Sequence, residues 1–232
     1  MNKSALLESL KSLSQKGFLP VTHSGPSGLT RSIREHLGAG GQSGALIHGY
    51  RVLSSRDLGG KMTLLASVPN WELSPVSSTQ EMLEVFGYGT GTDRRLNVTV
   101  EFGQNNSQGL SLDLSEDAEM ILTKSTNPLF PIVAKWETSK LAKKIEDKFS
   151  SAVTLELEFR QSGKLTFFKV IGVRFLPTPK AQNIVSLIRR GSLTIDHVIE
   201  NRSGSTVEHG PLFRIARSDL HLLFPGGEFV SF

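Results

Sequence analysis

Residues 153–160 alternate apolar with polar side chains, and 165–173 are rich in aromatic and β-branched residues, on either side of Gln161-Ser162-Gly163-Lys164. That pattern commits the middle of the chain to an antiparallel hairpin. Segments with a helical period flank it. Leu6, Leu7, Leu10 and Leu13 share one helical face ahead of a stop at Gly17. Trp136, Leu141, Ile145 and Phe149 repeat in the same way, with Thr138 or Ser139 as N-cap, and Ile184, Leu187 and Ile188 precede Gly191 at a C′ position. Short helices are also predicted at 29–37 and 218–224, and strands at 45–54, 61–68, 96–102, 110–114 and 213–215. Asp57-Leu58-Gly59-Gly60 predicts a turn that pairs 45–54 with 61–68. The run 104–109 predicts a second turn, between 96–102 and 110–114. Residues 39–44 are too glycine-rich for regular structure, and 70–92 reads as an insertion or a DNA-side loop holding a short helix around Met82, Leu83 and Phe86. Hairpins among flanking helices make an α/β class with a mixed central sheet.

The 232 residues suffice for one large domain or two small ones. The chain has no cysteine, which excludes disulfides and thiolate metal sites and fits a reducing cytoplasm, the expected location. The first segment is an amphipathic helix rather than a leader, and no apolar run reaches the length of a membrane span, so no membrane partner is expected. A net charge of +4 leans toward a polyanionic partner. The histidines His23, His36, His48, His197, His209 and His221 contain no i/i+4 pair, so a histidine metal site is not expected.

A Mg²⁺-dependent nuclease needs an acidic residue followed by Glu and Lys two positions apart on a strand: carboxylate oxygens hold the hard cation, and the lysine stabilises charge at the attacked phosphate. In Ile47-His48-Gly49-Tyr50-Arg51-Val52-Leu53-Ser54-Ser55-Arg56 the Glu-x-Lys slot reads Arg51-Val52-Leu53, and Leu46 stands where the first acid would fall. A guanidinium and two leucines bind no Mg²⁺.

Gly17-Phe18-Leu19-Pro20, the run from Gly25-Pro26-Ser27-Gly28-Leu29-Thr30 to Leu37-Gly38, Gly49-Tyr50-Arg51-Val52-Leu53-Ser54 and Thr63-Leu64-Leu65 together resemble the MvaI/BcnI family of restriction endonucleases, which is MutH-like. Collinear pieces downstream include residues 136–149, Phe167-Phe168, 188–196, His209-Gly210-Pro211-Leu212-Phe213-Arg214-Ile215 and 220–224. The resemblance implies a restriction-endonuclease-like PD-(D/E)xK fold, two-lobed with a DNA cleft, and a place in prokaryotic defence. It implies a former catalytic lobe at 1–125 and a DNA-recognition lobe at 126–232. The family's helical Glu falls at Arg34, with Glu35 one residue out and therefore rotated about 100° around a helix. The degenerate positions Arg34, Leu46, Arg51 and Leu53 thus define a pseudo-nuclease that binds double-stranded DNA. No cofactor is expected; Mg²⁺ enters only if the enzyme is active through a relocated site. A recognition subunit with a catalytic or assembly protein partner is one implied role, and a protein-interaction module reusing the cleft is another.

Each candidate has a plainer reading. Arg34 and Arg51 are expected to share the old metal pocket and bind phosphate by bidentate hydrogen bonds, unless Arg51 is merely an exposed strand cation. Glu156 and Glu158, with Lys169 on the paired strand, would be the relocated acid–lysine set, although alternation of this kind usually marks a solvated sheet face. Asp113, Glu116, Asp117 and Glu119 read as an acidic, solvated loop and helix start. Lys140, Lys144 and Lys148 recur on one helical face, either a solvated stripe or, with Arg189 and Arg190, contacts to a DNA backbone. The resemblance places His209 and Arg214 near bases; otherwise they are a turn histidine and a strand-surface charge. Ser27-Gly28-Leu29-Thr30 ahead of a helix offers a phosphate cradle but lacks the Gly-Lys-[Ser/Thr] of an ATP loop.

Overall fold

The computed structural model describes residues 1–24, 28–38, 46–53, 60–202 and 204–232. In chain order the elements are α1 (Lys3–Gln15), β1 (Leu19–Pro20), α2 (Gly28–His36), β2 (Arg51–Leu53), β3 (Lys61–Ala66), α3 (Thr79–Phe86), β4 (Arg95–Val100), β5 (Leu110–Leu114), β6 (Met120–Ser125), β7 (Ile132–Glu137), α4 (Thr138–Phe149), β8 (Ala152–Ser162), β9 (Leu165–Phe175), α5 (Ile184–Arg189), β10 (Leu193–Arg202), β11 (Ser205–Glu208), β12 (Leu212–Ala216), α6 (Leu220–Leu223) and β13 (Glu228–Ser231). The chain divides into two compact units. One comprises Met1–Leu58, Lys148–Pro179 and Phe224–Phe232, the other Gly59–Asp147 and Lys180–Leu223. The expected division at 125/126 falls inside the second unit, because β7 after that point pairs with β6 before it. Among the described residues no helix is long and apolar enough to cross a membrane.

The first unit is built on the predicted hairpin. β8 and β9 pair antiparallel from Val153↔Phe175 to Ser162↔Leu165, around a two-residue turn in which Gly163 takes φ +58°. β1 and β13 both pair antiparallel with β9, while β2 joins β8 in parallel, so this is the expected mixed sheet. The Asn2 side chain caps α1 by accepting from the Ala5 N–H. Leu6, Leu10 and Leu13 of α1, with Leu29 and Ile33 of α2, cover the sheet face carrying Val52, Val153, Leu155, Phe168, Val170 and Val173.

The second unit holds two antiparallel sheets. One has the order β11-β10-β12-β3 with β4 also on β10, and the other is β5-β6-β7. Trp136 packs edge-on against Phe213 at 5.5 Å, and its indole N–H donates to the Ser67 carbonyl at 2.8 Å. Trp136 therefore belongs to strand β7, and α4 begins only at Thr138, shorter than the expected helix. α5 ends as predicted, with Gly191 at φ +70° just beyond its Arg190 cap.

Two expected pairings are replaced. β2 and β3 form no hairpin with each other: β3 pairs with β12, because Met62, Leu64 and Leu65 belong to a different core from Val52. The proposed turn at Asp57-Leu58-Gly59 and the 39–44 connection lie outside the described residues. β4 pairs instead with β10 and β5 with β6, and the expected 96–102 strand meets 110–114 through an isolated Phe102–Leu112 bridge. The acidic run around Asp117 is the β5–β6 turn rather than a helix start, with Asp117 accepting from Ser115 Oγ and Glu119 N, and Asp113 paired to Lys124 at 2.6 Å.

Candidate nucleic-acid interface

In the first unit, strand alternation decides where the positions expected to hold metal ligands point. Val52 enters the helix-covered core, so Arg51 and Leu53 project from the opposite face, level with Ala152 and Thr154 of β8. Arg51 is secured at both ends. Its backbone N–H donates to the Ser151 carbonyl at 2.7 Å, and its side-chain Nε–H donates to the Lys148 carbonyl at 3.0 Å. That carbonyl belongs to the last turn of α4, where helix carbonyls lack intrahelical donors, so the guanidinium acts as a C-terminal cap.

Lys148 is half-buried beside it, with its Nζ 5.4 Å from the centre of the Phe149 ring. Burial, and then the charge of Arg51, hold its ammonium below the usual lysine range. Arg34 sits in the last turn of α2, whose Leu29 and Ile33 join the Val52 core, whereas Arg51 starts from the other face of the sheet. Leu46 is 49% exposed. Glu35 is tied to the loop after β1, accepting from Thr22 Oγ1 at 2.6 Å and lying 3.2 Å from His23 Nε2. The Thr22 hydrogen bond first, and then the His23 charge, lower its pKa.

These residues do not fit Mg²⁺. Arg51, Leu46 and Leu53 offer no oxygen donor, and among the described residues no group of three or more His, Cys, Asp or Glu side chains is placed to hold a metal. Glu158 lies directly across from Lys169, and Glu156 across from Gly172, on the sheet face expected to be solvated.

In the second unit, the proposed base-reading residues are held by carboxylates. Arg214 donates from Nη1 to Asp196 Oδ2 at 2.6 Å and from Nη2 to the Lys61 carbonyl at 3.1 Å. Asp196 is buried and also accepts from Thr99 Oγ1 at 2.7 Å. The register explains the meeting: Thr194 faces Arg214 across β10–β12, and Asp196 faces Thr99 across β10–β4, so all four side chains share one sheet face. Glu200 Oε1 receives His209 Nε2 at 2.9 Å and Arg202 Nε at 2.6 Å, and these partners, His209 first, keep its pKa low. On the opposite face of β10, His197 is fully buried against Trp136, and burial pushes its pKa down to about 4. It is neutral in the folded chain.

The lysine stripe is not a row of equivalent cations. Lys140 pairs with Glu137 at 2.7 Å, and Lys144 donates to Ser67 Oγ at 2.9 Å. Arg189 and Arg190 are exposed where α5 ends. Sequence reading missed the anchors Asp196 and Glu200. The alternation of Leu193, Ile195 and Ile199 with Thr194, Asp196 and Glu200 was the available sign of a strand carrying a polar face.

A mixed α/β architecture of several sheets is thus on view, and it is shared with known nucleases. Restriction endonuclease MvaI in complex with its cognate DNA substrate matches with a TM-score of 0.77 at 16% identity, covering 100% of this chain and 99% of that one. Restriction endonuclease MvaI in the absence of DNA matches with a TM-score of 0.58 at 15% identity, covering 99% and 98%. The MvaI/BcnI restriction endonuclease family model matches residues 7–224, and the chain belongs to that family. No curated protein sequence matches it significantly.

Proposed function

We propose that the chain binds double-stranded DNA without cutting it. The observation that carries this reading is the occupancy of β2. In a chain of a restriction endonuclease family, the strand expected to present metal ligands presents Arg51 and Leu53. Family membership and a fold shared with MvaI, whose matched structure is a complex with cognate DNA, support DNA as the ligand. The net charge of +4 agrees in sign.

Phosphate contact is assigned to Arg51, Lys148, Arg189 and Arg190, with lesser shares for Arg34, Lys140 and Lys144. Base contact is assigned to His209 and Arg214, whose carboxylate partners orient their donors. A scaffold that binds without cutting suits a recognition subunit whose protein partner supplies catalysis. Fluorescence anisotropy with a mixed-sequence duplex at two salt concentrations tests the binding. Affinity should fall steeply with salt, by a slope of about 0.9 per phosphate neutralised. Gel assays of supercoiled and linear DNA with Mg²⁺ or Mn²⁺ should show neither nicks nor breaks. Metal-dependent cleavage that disappears on changing Glu156 or Glu158 would instead establish an active nuclease with a relocated site.

A further inference from the structure

One face of β10 carries more than the anchored donors. Asp196, Val198 and Glu200 share the face opposite the buried His197, and the register with β4 sets Thr99, Asn97 and Arg95 beside them in that order. Arg214 is fixed at the Asp196 level and His209 at the Glu200 level, so the Asn97–Val198 level stands between the two. Asn97 is exposed, and among the described residues its side-chain amide has no hydrogen-bond partner. Asparagine is a poor strand former, so strand formation does not account for it. Val198 is partly exposed, an apolar side chain between two carboxylates. Arg95 lies over the Tyr88 ring at 5.5 Å, pairs with no carboxylate among the described residues, and brings positive charge to the same face.

The major-groove edge of an A·T pair shows the N7 acceptor and N6 donor of adenine alongside the methyl group of thymine. A carboxamide answers the first two, its Nδ2 donating to N7 and its Oδ1 accepting from N6, and an isopropyl group meets the methyl. Side chains directly opposite on paired strands lie about 5 Å apart, close enough to span one base pair. We propose that Asn97 and Val198 together read one A·T pair, Asn97 the adenine and Val198 the thymine methyl. The inference deepens the DNA reading and rests on it, adding a reading position between those assigned to Arg214 and His209. Alternate residues of a strand rise about 7 Å, or roughly two base pairs, so with β10 along the groove the three positions are evenly spaced.

Selection from a randomised duplex pool gives the preferred sequence, and equilibrium binding of the full chain then uses that duplex with single groups changed. Replacing the adenine by 7-deazaadenine removes N7 and should weaken wild-type binding about tenfold. Replacing the thymine by deoxyuridine removes only the methyl group and should weaken it about fourfold. Asn97→Ala should bind the 7-deaza and parent duplexes alike while keeping the deoxyuridine loss, and Val198→Ala should do the reverse. Each ratio is taken within one variant, so altered folding does not confuse the result.

Penalties that persist unchanged in Asn97→Ala and Val198→Ala would overturn the assignment while leaving DNA binding intact. So would a selected sequence with no A·T position whose preference is lost in Asn97→Ala. A wild type that binds no duplex of any sequence would remove the DNA reading, and this assignment with it.

Discussion

Arg51 and Arg214 are both strand arginines with their guanidinium groups fixed by backbone carbonyls, yet their electrostatic settings are opposite. Arg51 meets a helix-end carbonyl and, among the described residues, no carboxylate. Arg214 meets the Asp196 carboxylate, and His209 meets Glu200, so these two donors are oriented and locally neutralised. Surplus charge suits a phosphate, which carries no sequence information. Oriented, locally neutralised donors suit hydrogen-bond readout. The two arginines are equivalent in the sequence and become different through what the sheet register sets beside them.

The largest effect should come from breaking the neutral pair. Asp196→Ala removes the buried acceptor of both Arg214 and Thr99, and leaves a partly buried guanidinium with the Lys61 carbonyl as its remaining acceptor among the described residues. Breaking a pair of this kind costs about 3 kcal/mol, read as a lower midpoint in urea unfolding. Arg51→Ala frees one backbone carbonyl and should cost about 1 kcal/mol. Similar losses for the two variants would mean that the contrast in burial and charge has no energetic content.

The next effect is confined to the second unit and depends on pH. His197 is held neutral, with a folded pKa of about 4 against 6.5 unfolded. Between those values the unfolded chain binds the extra proton, so stability is present above pH 6.5 and is lost as pH falls toward 4. Two and a half pH units at about 1.36 kcal/mol each make roughly 3 kcal/mol at most. Glu208 acts with the opposite sign, since burial raises its pKa and its penalty grows above the ordinary carboxylate value. His197→Gln, compared with wild type by urea unfolding at pH 7 and pH 4.5, isolates the histidine. A variant whose stability falls with acid as steeply as that of wild type would place the acid sensitivity elsewhere.

Local pairing was legible in the sequence, and distant pairing was not. The β8–β9 hairpin could be read because alternation and a two-residue turn lie side by side. β2 and β3 also alternate, but alternation tells which face a residue takes and not which strand it meets. Their partners, β8 and β12, lie about 100 and 150 residues further along the chain. Trp136 fitted a helical spacing with Leu141 by accident of sequence, while its indole N–H and Phe213 settle it in a strand. At the candidate sites, Arg51 was singled out because the family resemblance sets it in a Glu-x-Lys slot. Asp196 and Glu200 escaped because a carboxylate on a strand has no meaning until the register gives it an arginine or a histidine.

Binding variants sharpen the comparison further. Arg51→Ala should weaken all duplex sequences alike, by about 1–3 kcal/mol, and flatten the salt slope. His209→Ala should leave the slope nearly unchanged and alter the ranking of sequences by about tenfold at the position it touches. Selection from a randomised duplex pool, repeated at two salt concentrations, separates the two signatures. A uniform loss with His209→Ala would move that histidine to the backbone.

The smallest effect is expected at Lys140. Its ammonium is exposed and already paired with Glu137, three residues earlier, and an exposed pair of this type contributes almost nothing to stability. A cation that must share itself with a fixed carboxylate also adds little attraction for phosphate. Lys140→Ala should therefore change duplex affinity by about twofold or less, well below the loss at Arg51, although both residues are single positive charges. Glu137→Gln supplies the converse, releasing Lys140 and strengthening binding slightly at low salt, with the gain vanishing as salt screens it. If Lys140→Ala instead matches Arg51→Ala in both affinity and slope, a cation paired with a carboxylate contributes as much as one held only by a carbonyl, and the contrast in electrostatic setting fails.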